Sequence, residues 1–561
     1  MPTRDEALAI LTGPGGPFEI GPADVGGLQL RVYTNAPRSL REIWLSSAVH
    51  GDATFLVFEN ERISYAEAHA QVRKLVAHLA AAGIGTGDRV AIAMRNYPEW
   101  VIAFWAVQSL GAIVVSMNAW WTASELEYGL SDSGATALIA DGERYDRLRG
   151  DVLARCAVSV VVVARATAGL DAGHAAWADV IGADDPGSLP DVDIATDDDA
   201  TILYTSGTTG YPKGAIGSNR NHITNIFNTL VSGVTVSMVA DPASGSPPAG
   251  RAIALWTFPF FHIAGVTGIC VLTTTGGCII TQYKFDATAA LEIVERERAT
   301  TVAGVPTVVR ALLEHPDAAT RDLTSLTGIS QGGSPVPPDS IAMIEDDFAG
   351  KVAPANGYGL TETTSAVISN AGPGYFAHKD SVGLPMPGTD VRIVDEEGND
   401  VAAGGVGELW VRGPNNVRGY WNKPKETAEA FTDGWFHTGD AARIGDDGYV
   451  YVVDRIKDMV LRGGENVYCA EVEAAIFEHP AVADVAVIGL PDARLGEEVA
   501  AVVNVKPGFA VTTAELQTFL AEKLAAFKVP STIFVRTEEL PRNATGKVLK
   551  RDLRAEYSER V

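Results

Sequence analysis

From Ile63 onward the chain alternates two hydrophobic rhythms. "SYAE" at Ser64 to Glu67 has the spacing of a capping box, and Val72, Leu75, Val76 and Leu79 then recur at helical intervals until Gly83. "RVAIAM" from Arg89 reads as a buried strand, "EWVIAFWAVQSLG" as a helix and "AIVVSM" as a second strand. Parallel strands need a crossover, usually a helix, so this βαβ rhythm predicts a layered α/β body with a largely parallel sheet. Between Gly383 and Asp454 the pattern shortens to alternating segments and turns, such as "VRIVDEEGNDVAAGGVGELWVRG", which predict a small antiparallel or barrel-like part. After Arg455 the order helix, strand, strand, helix, strand predicts a compact α+β unit. The expected domains are therefore 1–454, with 383–454 as its β-rich part, and 455–561. "ADPASGSPPAG", Ala240 to Gly250, reads as an exposed loop.

Composition narrows the partners. The formal net charge of -26 disfavours a general nucleic-acid or anionic-membrane binder, which would present a basic field. An anionic small ligand remains compatible, because charge is screened over about 8 Å at physiological salt and a local cradle suffices. The cysteines Cys156, Cys270, Cys278 and Cys469 form no CxxC pair and sit among small or apolar neighbours, so they are expected to be reduced residues of a cytoplasmic protein. The N-terminus has no signal-peptide core, and the C-terminal "ERV" is no peroxisomal address. The uncharged stretch Ile263 to Tyr283 is broken by glycines and threonines, which suits a buried helix, turn and strand rather than a membrane span. The Trp120-Trp121 pair follows a buried strand and is expected to pack rather than to touch lipid.

The densest chemistry lies in "YTSGTTGYPKG", Tyr204 to Gly214. Glycines free backbone N–H groups to point one way, hydroxyls add donors, and Lys213 adds charge, which together describe a phosphate cradle. The spacing is not GxxxxGK[ST], since Gly207, Gly210 and Lys213 are three apart and Gly214 replaces the hydroxyl residue.

This stretch resembles the phosphate-binding signature of the acyl-adenylate-forming (ANL) superfamily, which includes acyl-CoA synthetases, peptide-synthetase adenylation domains and luciferases. The family's other signatures follow in order: "FPFFHIAG" from Phe258, "GGSPV" from Gly332, "NGYGLTET" from Asn356, "WFHTGD" from Trp435, "DRIKDMVLRGGENVY" from Asp454 and "PRNATGK" from Pro541. The resemblance implies an α/β fold with a large N-terminal domain of layered sheets plus a β-barrel-like part, and a small mobile α+β C-terminal domain. It implies ATP and CoA as substrates and Mg²⁺ as cofactor. A carboxylate would attack the α-phosphorus, releasing pyrophosphate, and a thiol would then displace AMP.

Each role is carried by that resemblance. Thr205, Ser206, Gly207, Thr208, Thr209, Gly210 and Lys213 would hold the phosphates. Gly333, Ser334, Asn356, Gly357, Tyr358 and Gly359 would surround the nucleotide, with Thr361 at the α-phosphate and Glu362 as the metal ligand. Asp440 would take the ribose hydroxyls and Arg455 the ribose and phosphates. Lys547 resembles the mobile catalytic lysine and Lys457 the hinge about which the small domain turns between steps. Gly463, Gly464 and Glu465 resemble the loop that lines the thiol tunnel, and His262, Gly332 and Gly333 the acid pocket.

The bacterial fatty-acid ligases are the nearest likeness, so a medium- or long-chain fatty acid is the expected substrate, with aryl or steroid-side-chain acids next. Loading of a carrier protein by a stand-alone adenylating enzyme remains an alternative acceptor chemistry, although no carrier segment follows Val561. A non-catalytic nucleotide-binding relative is disfavoured by the intact Lys213, Glu362, Asp440 and Lys547. The expected partners are small molecules, without nucleic acid or an integral membrane segment, and a homodimer is left open.

Overall fold

The structure is a computed structural model that describes residues 1–205, 211–239, 250–348, 350–463, 465–492, 494–543 and 546–558 of the chain. It forms two compact units. The larger comprises 1–379, 383–390 and 411–436, and the smaller 380–382, 391–410 and 437–561.

The larger unit holds two mostly parallel sheets. One has seven strands, with Arg89–Ala93 near its centre between Ile113–Ser116 and Ala137–Asp141, and it ends in the antiparallel hairpin Asp199–Thr205 and Lys213–Ser218. The other has nine strands, whose parallel centre runs Ala353–Leu360, Gly328–Gly332, Thr301–Gly304, Ile253–Trp256, Cys278–Thr281 and Thr54–Phe58.

One hydrophobic core joins residues of both sheets, such as Ile92, Ile139, Ala254 and Ile279, to the helices Tyr65–Ala81, Pro98–Ser109 and Ile263–Thr274. These helices therefore lie between the sheets, which explains why Trp100 to Ser109 are all buried: a helix covered on every side reads as hydrophobic all round. Separate cores cover the outer face of each sheet. The expected capping box is present, with Ser64 Oγ accepting from Glu67 N and the Glu67 carboxylate accepting from Ser64 N. The stretch Ile263 to Tyr283 forms the helix Ile263–Thr274, a turn and the strand Cys278–Thr281. Among the described residues no helix is long and apolar enough to cross a membrane. All four cysteines are free thiols. Trp121 packs in the core, whereas Trp120 is half-exposed beneath the Arg95 guanidinium, 3.9 Å from the ring centroid.

The smaller unit contains the expected helix Cys469–Phe477, strands Val482–Asp492 and Gly496–Val505, helix Thr513–Ala521 and strand Thr532–Arg536. The sequence order misses the hairpin Val460–Arg462 and Glu465–Val467 and the terminal helix Lys550–Ser558. The compact units also differ from a division at Asp454. Residues 391–410 and 437–454, assigned by pattern to the large domain, pack with the C-terminal residues. Asp440 to Ile444 pairs with Val450 to Arg455 and the Trp410 and His437 rings stack with centroids 3.9 Å apart, which joins these segments to one another, while Ala470 N donates to Asp454 Oδ2 (3.2 Å) and ties them to the helix Cys469–Phe477. The proposed loop Ala240 to Gly250 lies outside the described residues but for Gly250.

Candidate active site

In the larger unit, the carboxyl ends of the parallel strands are where open α/β sheets usually receive ligands. Strand Gly328–Gly332 ends in Gly332, followed by Gly333 at φ +80° and then Ser334. Asn356, Gly357, Tyr358 and Gly359 occupy the adjacent strand Ala353–Leu360, with Gly357 in register with Gly332. Gly359 is obligatory, because a Cβ there would lie 1.8 Å from the Ser365 carbonyl oxygen. The chain then makes a 3₁₀ turn, Thr361–Thr363, whose close is fixed by Thr363 Oγ1 donating to Ser365 O (2.8 Å) and Asn415 Nδ2 donating to Thr363 O (3.0 Å).

That turn presents Glu362, buried at 8% exposure. Tyr420 Oη donates to its Oε1 at 2.6 Å, and Val417 N donates to its backbone oxygen at 2.8 Å. Burial, then the Glu362 charge, pushes the Tyr420 phenol well above its ordinary pKa, so it stays a donor at any physiological pH. Lys213 Nζ lies 4.3 Å from the Tyr420 ring centroid, within cation–π range.

Tyr420 therefore links the hairpin residue Lys213 to the Glu362 carboxylate. It is held there by Ile216 N donating to Gly419 O (3.1 Å) and Trp421 N to Gly214 O (2.7 Å), which lay its segment along the Lys213–Ser218 strand. Sequence reading missed Tyr420, because nothing in spacing ties it to Lys213 or Glu362 far back in the chain. The "RGYWN" stretch, an aromatic pair flanked by Arg418 and Asn422, was the only signal. Thr205 pairs with Lys213 across the hairpin, while Ser206, Gly207, Thr208, Thr209 and Gly210 lie outside the described residues.

These groups fit a magnesium ion. Mg²⁺ usually takes one or two carboxylates plus substrate phosphates. Glu362 supplies one hard oxygen ligand, and among the described residues no group of three His, Cys, Asp or Glu could hold a metal alone. The remainder of the shell would come from ATP and water.

His262 is the N-cap of the helix Ile263–Thr274, its Nδ1 accepting from Ala264 N at 3.3 Å. The ring thus has a structural role whether or not it meets an acid. Phe258, four residues earlier, lies beside the glycine turn, with its Cε1 4.0 Å from where a Gly333 Cβ would be, next to Val305 Cγ1 at 3.8 Å.

In the smaller unit, Asp440 and Arg455 are register partners on adjacent strands, and Arg455 Nε lies 2.6 Å from Asp440 Oδ1. Asp440 is buried at 3% exposure. Lys457 sits on an exposed turn; desolvation first, then the Arg455 guanidinium, holds its ammonium below the usual lysine pKa. Gly463, at φ +60°, donates its N–H to Leu495 O (2.8 Å), Glu465 pairs with Arg462 across the hairpin, and Gly464 lies outside the described residues.

Lys547 closes a tight loop in which its N–H donates to Asn543 Oδ1 (2.9 Å) while Asn543 N donates to Lys547 O (2.8 Å). Its side chain is exposed. The helix that follows begins at Lys550, whose Nζ lies 2.7 Å from Glu473 Oε1.

The chain also matches known proteins. Residues 44–421 match the AMP-binding enzyme family and 471–547 its C-terminal domain. A feruloyl-CoA synthase of an Amycolatopsis species is 39% identical over 498 residues, covering 88% of this chain and 94% of its own. A long-chain-fatty-acid–CoA ligase of Bacillus subtilis (strain 168) is 32% identical over 554 residues, covering 93% and 95%. The crystal structure of ATP-bound MatB from Rhodopseudomonas palustris superposes with a TM-score of 0.79 at 29% identity, covering 92% of this chain and 99% of that one. The chain belongs to the AMP-binding enzyme family, the acyl-adenylate-forming (ANL) superfamily, and is an enzyme of the acyl-CoA-synthetase-like, acid–thiol ligase kind.

Proposed function

We propose that the protein is an AMP-forming acid–CoA ligase. The observation that carries this reading is the stack of Lys213, Tyr420 and buried Glu362, a cation and a hard carboxylate held by one phenol. The carboxylate oxygen of the acid attacks the α-phosphorus, the bond to the bridging oxygen of pyrophosphate breaks, and an acyl-adenylate remains. Phosphoryl transfer needs alignment and charge stabilisation more than covalent help.

Lys213, with the loop residues before it, would carry the negative phosphates, Thr361 would donate to the α-phosphate, and Glu362 would orient the metal. Mg²⁺, when bound, neutralises phosphate charge. Tyr358 would face adenine, and Asp440 with Arg455 would hold the ribose. Lys547 would stabilise charge developing between the acid and the phosphorus. In the second step CoA attacks the acyl carbonyl as thiolate and AMP leaves. Lys457 would be the hinge for that step, and Gly463, Gly464 and Glu465 would line the thiol path. The uncrosslinked cysteines support a cytoplasmic protein, and the ligase reading gives it small-molecule partners.

The likeness to the Bacillus subtilis ligase supports a medium- or long-chain fatty acid, and the likeness to the feruloyl-CoA synthase supports an aryl acid. Incubation with Mg-ATP, CoA and a panel of fatty, aryl and steroid-side-chain acids, read by mass spectrometry, tests the reading. Acyl-CoA with AMP is expected; pyrophosphate and a bound adenylate without thioester would mean a carrier protein as acceptor.

A further inference from the structure

We propose that Trp256 closes the acid pocket of this chain, so that its substrate is a ring-sized aromatic carboxylic acid rather than a long alkyl one. The inference rests on the ligase reading above, with the acid lying beside His262 and the glycine turn at Gly332 and Gly333, which Phe258 borders.

Trp256 is the last residue of the strand Ile253–Trp256, in register with Ala303 of the neighbouring strand. Side chains alternate along a strand, so Trp256 and its successor Thr257 point to opposite faces. Thr257 lies toward Gly304, and Trp256 lies toward the helix Ile263–Thr274. There the indole rests directly on Gly268: a Cβ at that position would come within 2.1 Å of Trp256 Cε2 and 2.2 Å of Cζ2. Glycine at 268 is what gives the ring its seat between strand end and helix.

The indole Nε1 is buried and has no hydrogen-bond partner in the structure, so packing alone holds the ring. The ring is nevertheless only partly buried, unlike Leu255 before it. Its neighbour on the other side is Phe258, with ring centroids 5.8 Å apart and planes inclined at 53°. Phe258 Cε1 and Val305 Cγ1 in turn lie 4.0 and 3.8 Å from the place of a Gly333 Cβ.

A continuous aromatic wall therefore runs from the glycine turn through Phe258 and Trp256 to Gly268. A flat ring can pack against such a wall with offset or edge-on geometry. A long alkyl chain would have to continue between the strand end and the helix. That space is filled by the indole, which packs against the buried core that includes Ile269 and Leu272.

The test compares the wild type with Trp256→Ala, Trp256→Phe and Trp256→Leu. For hydroxylated 3-phenylpropenoic acids and for C8, C12 and C16 fatty acids it measures acid-dependent pyrophosphate release, acyl-CoA formation and, by calorimetry in the presence of AMP, acid binding. The wild type is expected to favour the aryl acids over the C16 acid by about tenfold or more in kcat/KM. Trp256→Ala should shift the C16-to-aryl ratio by about tenfold toward the long acid, while Trp256→Phe keeps the aryl preference. Should Trp256→Ala fail to fold, Trp256→Leu carries the same comparison.

A wild type that prefers C12 or C16, or a ratio unmoved by Trp256→Ala and Trp256→Leu in folded protein, overturns the inference. The expected preference in binding and pyrophosphate release without any acyl-CoA supports the pocket and overturns only the choice of CoA as acceptor.

Discussion

The groups around Glu362 and those around Lys547 are built in opposite ways. Glu362 is buried, accepts a phenol hydrogen bond and sits on a turn closed by Asn415 and Thr363. Lys547 and Lys457 are exposed on short turns, and the packing of the smaller unit lies elsewhere, for example in the Glu473–Lys550 pair. A carboxylate that must hold a metal and phosphates gains from preorganisation, since fixed dipoles need no rearrangement as charge develops. In the proposed reaction a lysine used in one half-reaction and withdrawn for the other would gain from an exposed, solvated mount.

The largest expected effect separates the two regions by step. Lys547→Ala should slow adenylate formation by about 10²–10³-fold yet spare thioester formation from a supplied acyl-adenylate. Equal loss in both steps would erase the contrast between a fixed and a step-specific group. Lys457→Pro, which restricts the backbone at the turn, should do the reverse and slow thioester formation by about tenfold or more with adenylation retained. Stopped-flow measurement of each half-reaction decides it.

Tyr420→Phe probes the buried region. Leaving a buried carboxylate without its donor costs about 1–3 kcal/mol, which should appear as a raised Mg²⁺ requirement for pyrophosphate release rather than as a changed acid preference. An unchanged Mg²⁺ dependence would remove Tyr420 from the site. The smallest effect is expected for Asn543→Ala, which loses the hydrogen bond to the Lys547 amide. About 1 kcal/mol, read as a several-fold slower adenylation with an unaltered melting temperature, would show how little ordering the exposed loop needs.

The motifs made the family and the order of the chemistry readable, because catalytic residue types recur at fixed local spacing. The layered α/β body was readable too, since buried strands and amphipathic helices announce themselves by period. Tyr420 was not, because its partners Lys213 and Glu362 are brought to it by strand pairing between distant segments. Nor was the compact grouping of 391–410 and 437–454 with the C-terminal residues, which depends on contacts between distant segments such as Ala470 N donating to Asp454 Oδ2.

Sequence alone therefore determined most of the succession of elements, though not the hairpin of Val460–Arg462 and Glu465–Val467 or the terminal helix, together with the adenylate-forming signatures and the residues offered for catalysis, all of which are properties of local pattern. Only the tertiary structure decided which groups meet. The seating of Trp256 on Gly268 is the clearest case, for a missing side chain matters only when folding brings another residue into the space it leaves.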